Sequence, residues 1–288
     1  MKDARELIRK AKRIEITSRK IVNTLFRGEY SSAFKGRGIE FSEVREYQVG
    51  DDIRDIDWNV TSRMDRPYVK VNHEERELCV ILVMDVSASM NWGSQGVSKL
   101  ERMIELAAVF VISAVQNGDK VGAILVGDQI QAIIEPKKGK QQVMRILRAA
   151  LSANLSGTST QLEAALVWVM KTQKRKSFVV VMSDFYANAI ESPLKVLSNR
   201  HQVVPIWIED PLEAHWPWLH SRPTLSGLED HQIGVVAHDY QSSREISQLK
   251  RQTNLTDLFR TLKLRPLHLR MDQPYLSKLL QYFGRGKL

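Results

Sequence analysis

From residue 78 onward the chain alternates between short apolar runs and longer amphipathic stretches, and this alternation limits its possible folds more than any other feature. The runs predict strands near 78–85, 119–126, 130–135, 177–183, 202–208 and 265–271. The amphipathic stretches predict helices near 99–117, 140–151, 162–173, 190–199, 244–262 and 273–283. Strands that alternate with helices predict an α/β fold, with a mostly parallel central sheet and helices on both faces. The pair 119–126 and 130–135, joined through Gly127 and Asp128, predicts a hairpin that adds one antiparallel edge strand.

The alternation begins only at residue 78, so we predict two parts. Residues 78–288 form a Rossmann-like domain, interrupted near 209–243 by an insertion rich in Pro and Trp, in which one strand is expected at 232–237. Residues 1–77 form an extension that contains a helix near 3–26 and a small, irregular β region punctuated by glycines.

Composition excludes several classes of protein. The single cysteine, Cys79, rules out a disulfide framework and a cysteine-rich zinc site. No apolar stretch approaches the roughly 18 residues of a membrane span. The N-terminus is charged where a secretory signal needs an apolar core, and we therefore expect a cytoplasmic protein.

The strand near 78–85 ends in the sequence Asp85-x-Ser87-x-Ser89. Its apolar, branched residues are typical of a strand buried on both faces, and ligands of open α/β sheets bind at the carboxyl ends of such strands. One carboxylate and two hydroxyls on one loop are hard oxygen donors, which suit Mg²⁺ or Mn²⁺.

Two further segments end at the same predicted edge. A Gly- and hydroxyl-rich loop runs through Thr158 and Thr160 into the helix near 162–173, and Asp184 follows the strand near 177–183. Either threonine hydroxyl could reach Asp85. A structural alternative is that Thr160 caps the helix, with Glu163 completing a capping box.

Together these segments resemble the metal-ion-dependent adhesion site of von Willebrand factor A (vWA) domains. The stretch from Thr160 to Leu166 matches the family's Thr-x-ψ-x-x-Ala-Leu pattern, where ψ is apolar, and favours Thr160 over Thr158. The resemblance implies a Mg²⁺ or Mn²⁺ site in which the serines bind the cation directly, while the threonine and the two aspartates bind directly or through water. A carboxylate of a protein partner then completes the coordination. The ligand set so implied is Asp85, Ser87, Ser89, Thr160 and Asp184.

The region before the strand resembles the bacterial family known as domain of unknown function 58. The matching segments are Gly36 to Tyr47, Gly50 to Trp58, Ser62-Arg63 and Glu74 to Arg76. Members of that family are typically found beside MoxR-type AAA+ ATPases. The resemblance therefore implies a non-enzymatic adaptor that binds such an ATPase, or its client, through the metal.

Three alternatives remain open. Asp85 could serve a metal-dependent phosphoester hydrolase, although Ser87 stands where haloacid dehalogenase-type enzymes need a second carboxylate. Glu40, Glu43, Asp55 and Asp57 could form a hydrolytic site, although the neighbouring Arg45, Arg54 and Arg63 favour a buried ion-pair network.

The third alternative is nucleic-acid binding through the basic termini. Residues 1–20 hold 8 Lys and Arg against 3 Asp and Glu, and residues 249–288 hold 9 against 2, within a net charge of +9. The basic residues of the N-terminus are not interleaved with aromatic ones, which disfavours stacking on bases. Solvated helix faces explain this charge more simply.

Overall fold

The computed structural model describes residues 4–23, 43–64, 66–71, 78–94, 96–155, 160–186, 189–214 and 249–284. The strands are β1 (Glu43–Glu46), β2 (Tyr68–Val71), β3 (Cys79–Asp85), β4 (Lys120–Val126), β5 (Ile130–Lys137), β6 (Phe178–Ser183), β7 (Gln202–Glu209) and β8 (Leu267–Arg270). The helices are α1 (Ala4–Ile21), α2 (Trp58–Thr61), α3 (Lys99–Gln116), α4 (Lys140–Leu151), α5 (Leu162–Thr172), α6 (Glu191–Arg200), α7 (249–261) and α8 (Tyr275–Gly284). The strand predicted at 232–237 lies outside the described residues.

The central sheet has six strands in the order β5-β4-β3-β6-β7-β8. All neighbouring pairs are parallel except β4 with β5, which is antiparallel. The predicted mixed α/β fold, with its single antiparallel edge strand, is therefore confirmed. The β4–β5 ladder is irregular, since its register shifts between Val121 and Ala123 and again between Leu125 and Val126.

Alternate residues of each central strand enter two separate cores. On β3, Leu82 and Met84 pack with α1, α3, α4 and α8 on one face of the sheet. Ile81 and Val83 pack with α5, α6 and α7 on the other face. Because both faces are covered, β3 and β6 are apolar along nearly their whole length, and a polar side chain can leave them only at a strand end.

Helix α3 begins with a complete capping box. The Ser98 hydroxyl accepts from the backbone N–H of Glu101, and the Glu101 carboxylate accepts from the backbone N–H of Ser98. The helix stops at Gly118, whose φ of 73° lies in the left-handed region that favours glycine. The helix predicted near 99–117 is thus confirmed, including its end.

Helix α1 packs on the domain that carries the sheet. Ala11 is fully buried in the same core as Leu82, and Lys10 forms an ion pair with Glu101 of α3. Within the described ranges, no helix combines the length and the apolar character that crossing a membrane requires.

The residues between α1 and β3 correct one prediction. Strands β1 and β2 pair in an antiparallel ribbon, and Arg45 donates to both oxygens of Asp51 at 2.7 and 2.6 Å. Both side chains of this ion pair are partly exposed, and Arg54 and Arg63 are exposed, so the prediction that these arginines form a buried network is wrong. Asp57 caps α2 through the backbone N–H groups of Asn59 and Val60. Glu40 lies outside the described residues.

Candidate functional site

The ends of β3 and β6 bring the first polar side chains together. The two strands are parallel neighbours, with Met84 opposite Met182. Their last residues, Asp85 and Ser183, therefore lie side by side. Asp184 follows directly. The expectation that Asp85 and Asp184 share one edge of the sheet therefore agrees with the register of the strands.

Asp85 is fully buried and is held by neutral donors. Its Oδ1 accepts from the backbone N–H of Ser87 at 2.9 Å, and its Oδ2 accepts from the Ser183 hydroxyl at 2.5 Å. Burial, followed by the negative charge of Asp184, raises the pKa of Asp85 to about 6, although its hydrogen bonds oppose this shift. The carboxylate is thus fixed by neutral groups, and no cationic side chain in the part of the chain that the structure describes pairs with it.

The hydroxyls of Ser87 and Ser89 lie beside this carboxylate. A short 3-10 helix, Ala88–Asn91, turns the chain so that the two hydroxyls hydrogen-bond to each other, with their Oγ atoms 3.0 Å apart. Adjacent oxygen ligands of an octahedral Mg²⁺, each at about 2.1 Å, are separated by about 3.0 Å. Ser87 is buried and Ser89 is partly exposed, so the pair opens toward solvent on the side of Ser89.

Thr160 lies at the same end of the sheet, one residue before a main-chain hydrogen bond that fixes the start of α5. The Gln161 N–H donates to the carbonyl of Gly127 at 2.8 Å, and Gly127 follows Val126, which pairs with Asp85. The capping box proposed for Thr160 and Glu163 is wrong, because α5 has Gln161 at its N-cap with no side-chain hydrogen bond.

Asp184 has a different environment. Its Oδ2 accepts from the Lys99 ammonium at 2.7 Å, and its Oδ1 accepts from the backbone N–H of Tyr186 at 3.2 Å. Lys99 also donates to Oε1 of Glu213 at 2.5 Å. Burial lowers the pKa of Lys99, but Asp184 and Glu213 together outweigh burial and raise it. Burial raises the pKa of Glu213 to about 7 against the opposing effect of Lys99.

The sequence predictions missed Ser183, Lys99 and Glu213. Ser183 could have been found, because its hydroxyl ends a buried strand directly before Asp184. Lys99 follows a helix cap, a position at which lysines are ordinarily solvated, and Glu213 lies in the stretch treated as an irregular insertion. Neither offered a local signal.

The carboxyl end of β7, next to that of β6, also carries acidic side chains. Asp210 is fully buried and accepts from the backbone N–H and the hydroxyl of Ser94, at 2.7 and 2.8 Å. Glu209 accepts from His268 at 2.7 Å, and the His268 ring stacks on Trp207 with the ring centres 4.0 Å apart. Consecutive strand ends therefore carry buried carboxylates, each held by different partners.

Within the described part of the chain, no three His, Cys, Asp or Glu side chains are grouped so that they could hold a metal ion. A cation at this edge would depend on serine hydroxyls. Asp85, Ser87 and Ser89 fit such an ion, because the buried carboxylate pairs with no cationic side chain among the described residues and the two hydroxyl oxygens have the spacing of adjacent octahedral ligands.

Comparison with known proteins identifies similar sequences. The family described as "Protein of unknown function DUF58" matches residues 43–254, which is more than half of the chain. The uncharacterized protein Rv1480 of Mycobacterium tuberculosis is 27% identical over 287 residues, covering 96% of this chain and 89% of the relative. The uncharacterized protein Mb1516 of Mycobacterium bovis matches with the same identity and coverage.

Solved structures resemble parts of the chain. Proximal thread matrix protein 1 from the mussel byssus is 16% identical, with a TM-score of 0.35, over 46% of this chain and 38% of that protein. The manganese-loaded TRAP protein of Plasmodium vivax is 16% identical, with a TM-score of 0.31, over 45% of this chain and 57% of that protein. The pilus adhesin SpaC from Lactobacillus rhamnosus GG is 15% identical, with a TM-score of 0.37, over 62% of this chain and 30% of that protein. TM-scores this low support no argument about function.

Proposed function

We propose that this chain, which belongs to the DUF58 family, is a non-enzymatic adaptor that binds a protein partner through a divalent cation. In this proposal the Rossmann-like domain is a vWA domain, and its metal-ion-dependent adhesion site binds Mg²⁺ or Mn²⁺. The order of the motifs along the chain and their place at one sheet edge support the assignment.

The observation that carries the proposal is the arrangement around Asp85. A buried carboxylate, which pairs with no cationic side chain among the described residues, lies beside two serine hydroxyls whose oxygens are 3.0 Å apart. Asp85, Ser87 and Ser89 would hold the cation, with Thr160 reaching it from the start of α5. Asp184, predicted as the fifth member of the set, would act directly or through water.

The edge has the properties of a docking site. Ser89 is partly exposed and Ala88 is exposed, so the hydroxyl pair can be approached from solvent. When bound, the cation would supply a coordination position for a carboxylate oxygen of the partner. The chain's own residues fix the donors in advance, since Ser87 N–H and the Ser183 hydroxyl orient the Asp85 carboxylate.

The same geometry disfavours the phosphoester hydrolase alternative. A haloacid dehalogenase-type hydrolase needs a second carboxylate two residues after its aspartate nucleophile, whereas this chain has Ser87 there, with its Oγ 3.0 Å from the Oγ of Ser89. We expect purified protein to show no phosphoester turnover with Mg²⁺ present. Turnover that is lost in Asp85→Asn would favour the hydrolase.

For the partner, we propose a MoxR-type AAA+ ATPase or its client that presents an acidic side chain. Nucleic acid fits less well, because the basic helix α1 contains no aromatic residue and packs on the domain through Ala11. Binding of nucleic acid would be strongly salt-dependent and would need no metal.

Titration with Mn²⁺ tests the metal site. We expect wild type to bind one ion, and Asp85→Asn to lose more affinity than the ~10- to 100-fold that substitutions outside the ligand set cost. Asp257→Asn makes the same chemical change at an exposed position of α7 and should bind like wild type. Equal affinity of wild type and Asp85→Asn would refute the site.

Partner binding tests the adaptor role. Tagged protein should retain the ATPase with Mg²⁺ present and release it in EDTA, and Ser89→Ala should weaken retention while the chain stays folded. Retention that is unchanged by EDTA would show that the partner binds elsewhere on the surface.

A further inference from the structure

Lys99 occupies a position that disfavours a positive charge for two reasons. It is the first residue of α3, where the helix dipole favours negative groups. It is also 0% exposed, and transferring an ammonium ion out of water is strongly unfavourable. A lysine that remains charged here must be stabilised by specific partners.

Two carboxylates supply that stabilisation. The ammonium donates to Asp184 at 2.7 Å and to Glu213 at 2.5 Å, and it lies 5.8 Å from the centre of the Tyr186 ring. Three separate parts of the chain therefore meet at one ammonium: the start of α3, the residues after β6 and the 3-10 helix after β7.

These contacts leave Asp184 engaged on every side that the structure shows. One carboxylate oxygen accepts from Lys99 and the other accepts from the Tyr186 N–H, while its main-chain carbonyl accepts from Arg251. The Arg251 guanidinium lies over the Tyr186 ring at 3.1 Å. Among the described residues, the partners of Asp85 are in contrast neutral: the backbone N–H of Ser87 and the hydroxyls of Ser183 and Ser87.

We infer that Lys99, rather than a divalent cation, is the resident counter-ion of Asp184, and that its ammonium competes with the metal for this carboxylate. The inference rests on the proposed metal site and changes its ligand set. The ion is held by Asp85, Ser87, Ser89 and Thr160, and Asp184 joins only where Lys99 releases it.

This arrangement determines the charge at the docking position. With Asp184 paired to Lys99, one carboxylate is left to face the ion, and the bound cation would keep an excess of positive charge. That excess attracts a carboxylate ligand. If Asp184 joined the ion, the metal would bind more tightly and the partner's carboxylate would bind more weakly. Lys99 therefore favours partner binding at the expense of metal affinity.

The test compares Mn²⁺ affinity among four proteins: wild type, Asp184→Asn, Asp85→Asn and Lys99→Met. For Asp184→Asn we expect an affinity loss well below the ~10-fold typical of outer-shell substitutions, in contrast to the large loss in Asp85→Asn. Lys99→Met should bind Mn²⁺ at least about 10-fold more tightly, because it frees a second carboxylate. An equal loss in Asp184→Asn and Asp85→Asn would overturn the inference.

A second measurement, without metal, tests the ion pair itself. In EDTA, Lys99→Met should lower the melting temperature by roughly 10 °C, because it leaves buried carboxylates unpaired. Lys99→Met/Asp184→Asn should recover part of that loss, since it removes one of those charges. A double variant as unstable as the sum of the two single variants would contradict the pairing.

The two measurements also separate the inference from the function on which it rests. If wild type binds no Mn²⁺, the proposed function fails, and the EDTA experiment then decides the counter-ion claim alone. Recovery in the double variant supports Lys99 as the counter-ion of Asp184, and no recovery refutes it.

Discussion

Asp85 and Asp184 hold equivalent places at the ends of neighbouring parallel strands, yet the chain balances their charges in different ways. Both side chains are buried, at 0% and 1% exposure. Asp85 is bonded to neutral groups, whereas Asp184 is paired with the Lys99 ammonium. The position at the end of a strand therefore does not determine the role of a carboxylate. The charge of the donor that bonds to the carboxylate determines this role. For Asp184 the donor is Lys99, which lies 85 residues earlier in the sequence.

The largest effect expected from this comparison comes from removing the lysine. Lys99→Met should lower the free energy of unfolding by about 3–5 kcal/mol in EDTA, because breaking a buried pair strands its partner charges. Urea unfolding followed by circular dichroism measures this loss. Lys195→Met, at an exposed position of α6, is the control and should change little. Equal midpoints for the two variants would show that the pair does not stabilise the fold.

A smaller effect is expected on the side of Asp85. Ser183→Ala removes the hydroxyl that donates to Asp85 Oδ2 and accepts from the Phe185 N–H, so two buried groups lose a partner. We expect a loss of about 1–3 kcal/mol in the free energy of unfolding. Ser198→Ala, on α6, provides the matched control. If Ser183→Ala lowered the free energy of unfolding as much as Lys99→Met does, the contrast between the neutral partners of Asp85 and the charged partner of Asp184 would be refuted.

A sharper contrast comes from making the two aspartates neutral. Asp85→Asn keeps an acceptor for Ser87 N–H and removes a buried charge, so its free energy of unfolding in EDTA should stay within about 1 kcal/mol of wild type. Asp184→Asn should be less stable than Asp85→Asn, because it removes a partner of the buried lysine. The opposite order, measured by denaturant unfolding of both variants, would reverse the comparison.

The smallest effect concerns a titratable group near the amino end of β6. His201 Nδ1 accepts from the Ser177 N–H at 3.2 Å, and burial, with a lesser contribution from Arg200, lowers the pKa of His201. The unfolded chain therefore binds a proton at a higher pH than the folded chain does. This contribution to stability is complete above the ordinary histidine pKa of about 6.5, and it is lost as the pH falls toward the folded value.

His201→Asn tests this contribution, since the asparagine can accept from the Ser177 N–H but does not titrate. Thermal unfolding from pH 7.5 to pH 5 should show a steeper loss of stability in wild type than in the variant. Parallel curves would mean that His201 does not contribute. His268→Asn is unsuitable as a control, because His268 bonds to Glu209.

The sequence predicted the fold well because its main elements carry local signals. Central strands such as β3 and β6 are continuous apolar runs, and Gly118, with its positive φ, follows the end of α3. Parallel pairing then required Asp85 and Asp184 to lie at one edge. The candidate site was less predictable, because Lys99 and Glu213 meet through tertiary contacts that no spacing encodes. The capping box predicted at Thr160 failed for a related reason: the main chain before α5 is bonded to Gly127 instead.

The irregular pairing of β5 has a consequence for how other proteins approach this chain. The strand lies at the edge of the sheet, and its register against β4 shifts twice. Shifts of this kind twist an edge strand and make it a poor template for another chain. A partner that extends the sheet by adding its own strand is therefore disfavoured on this side.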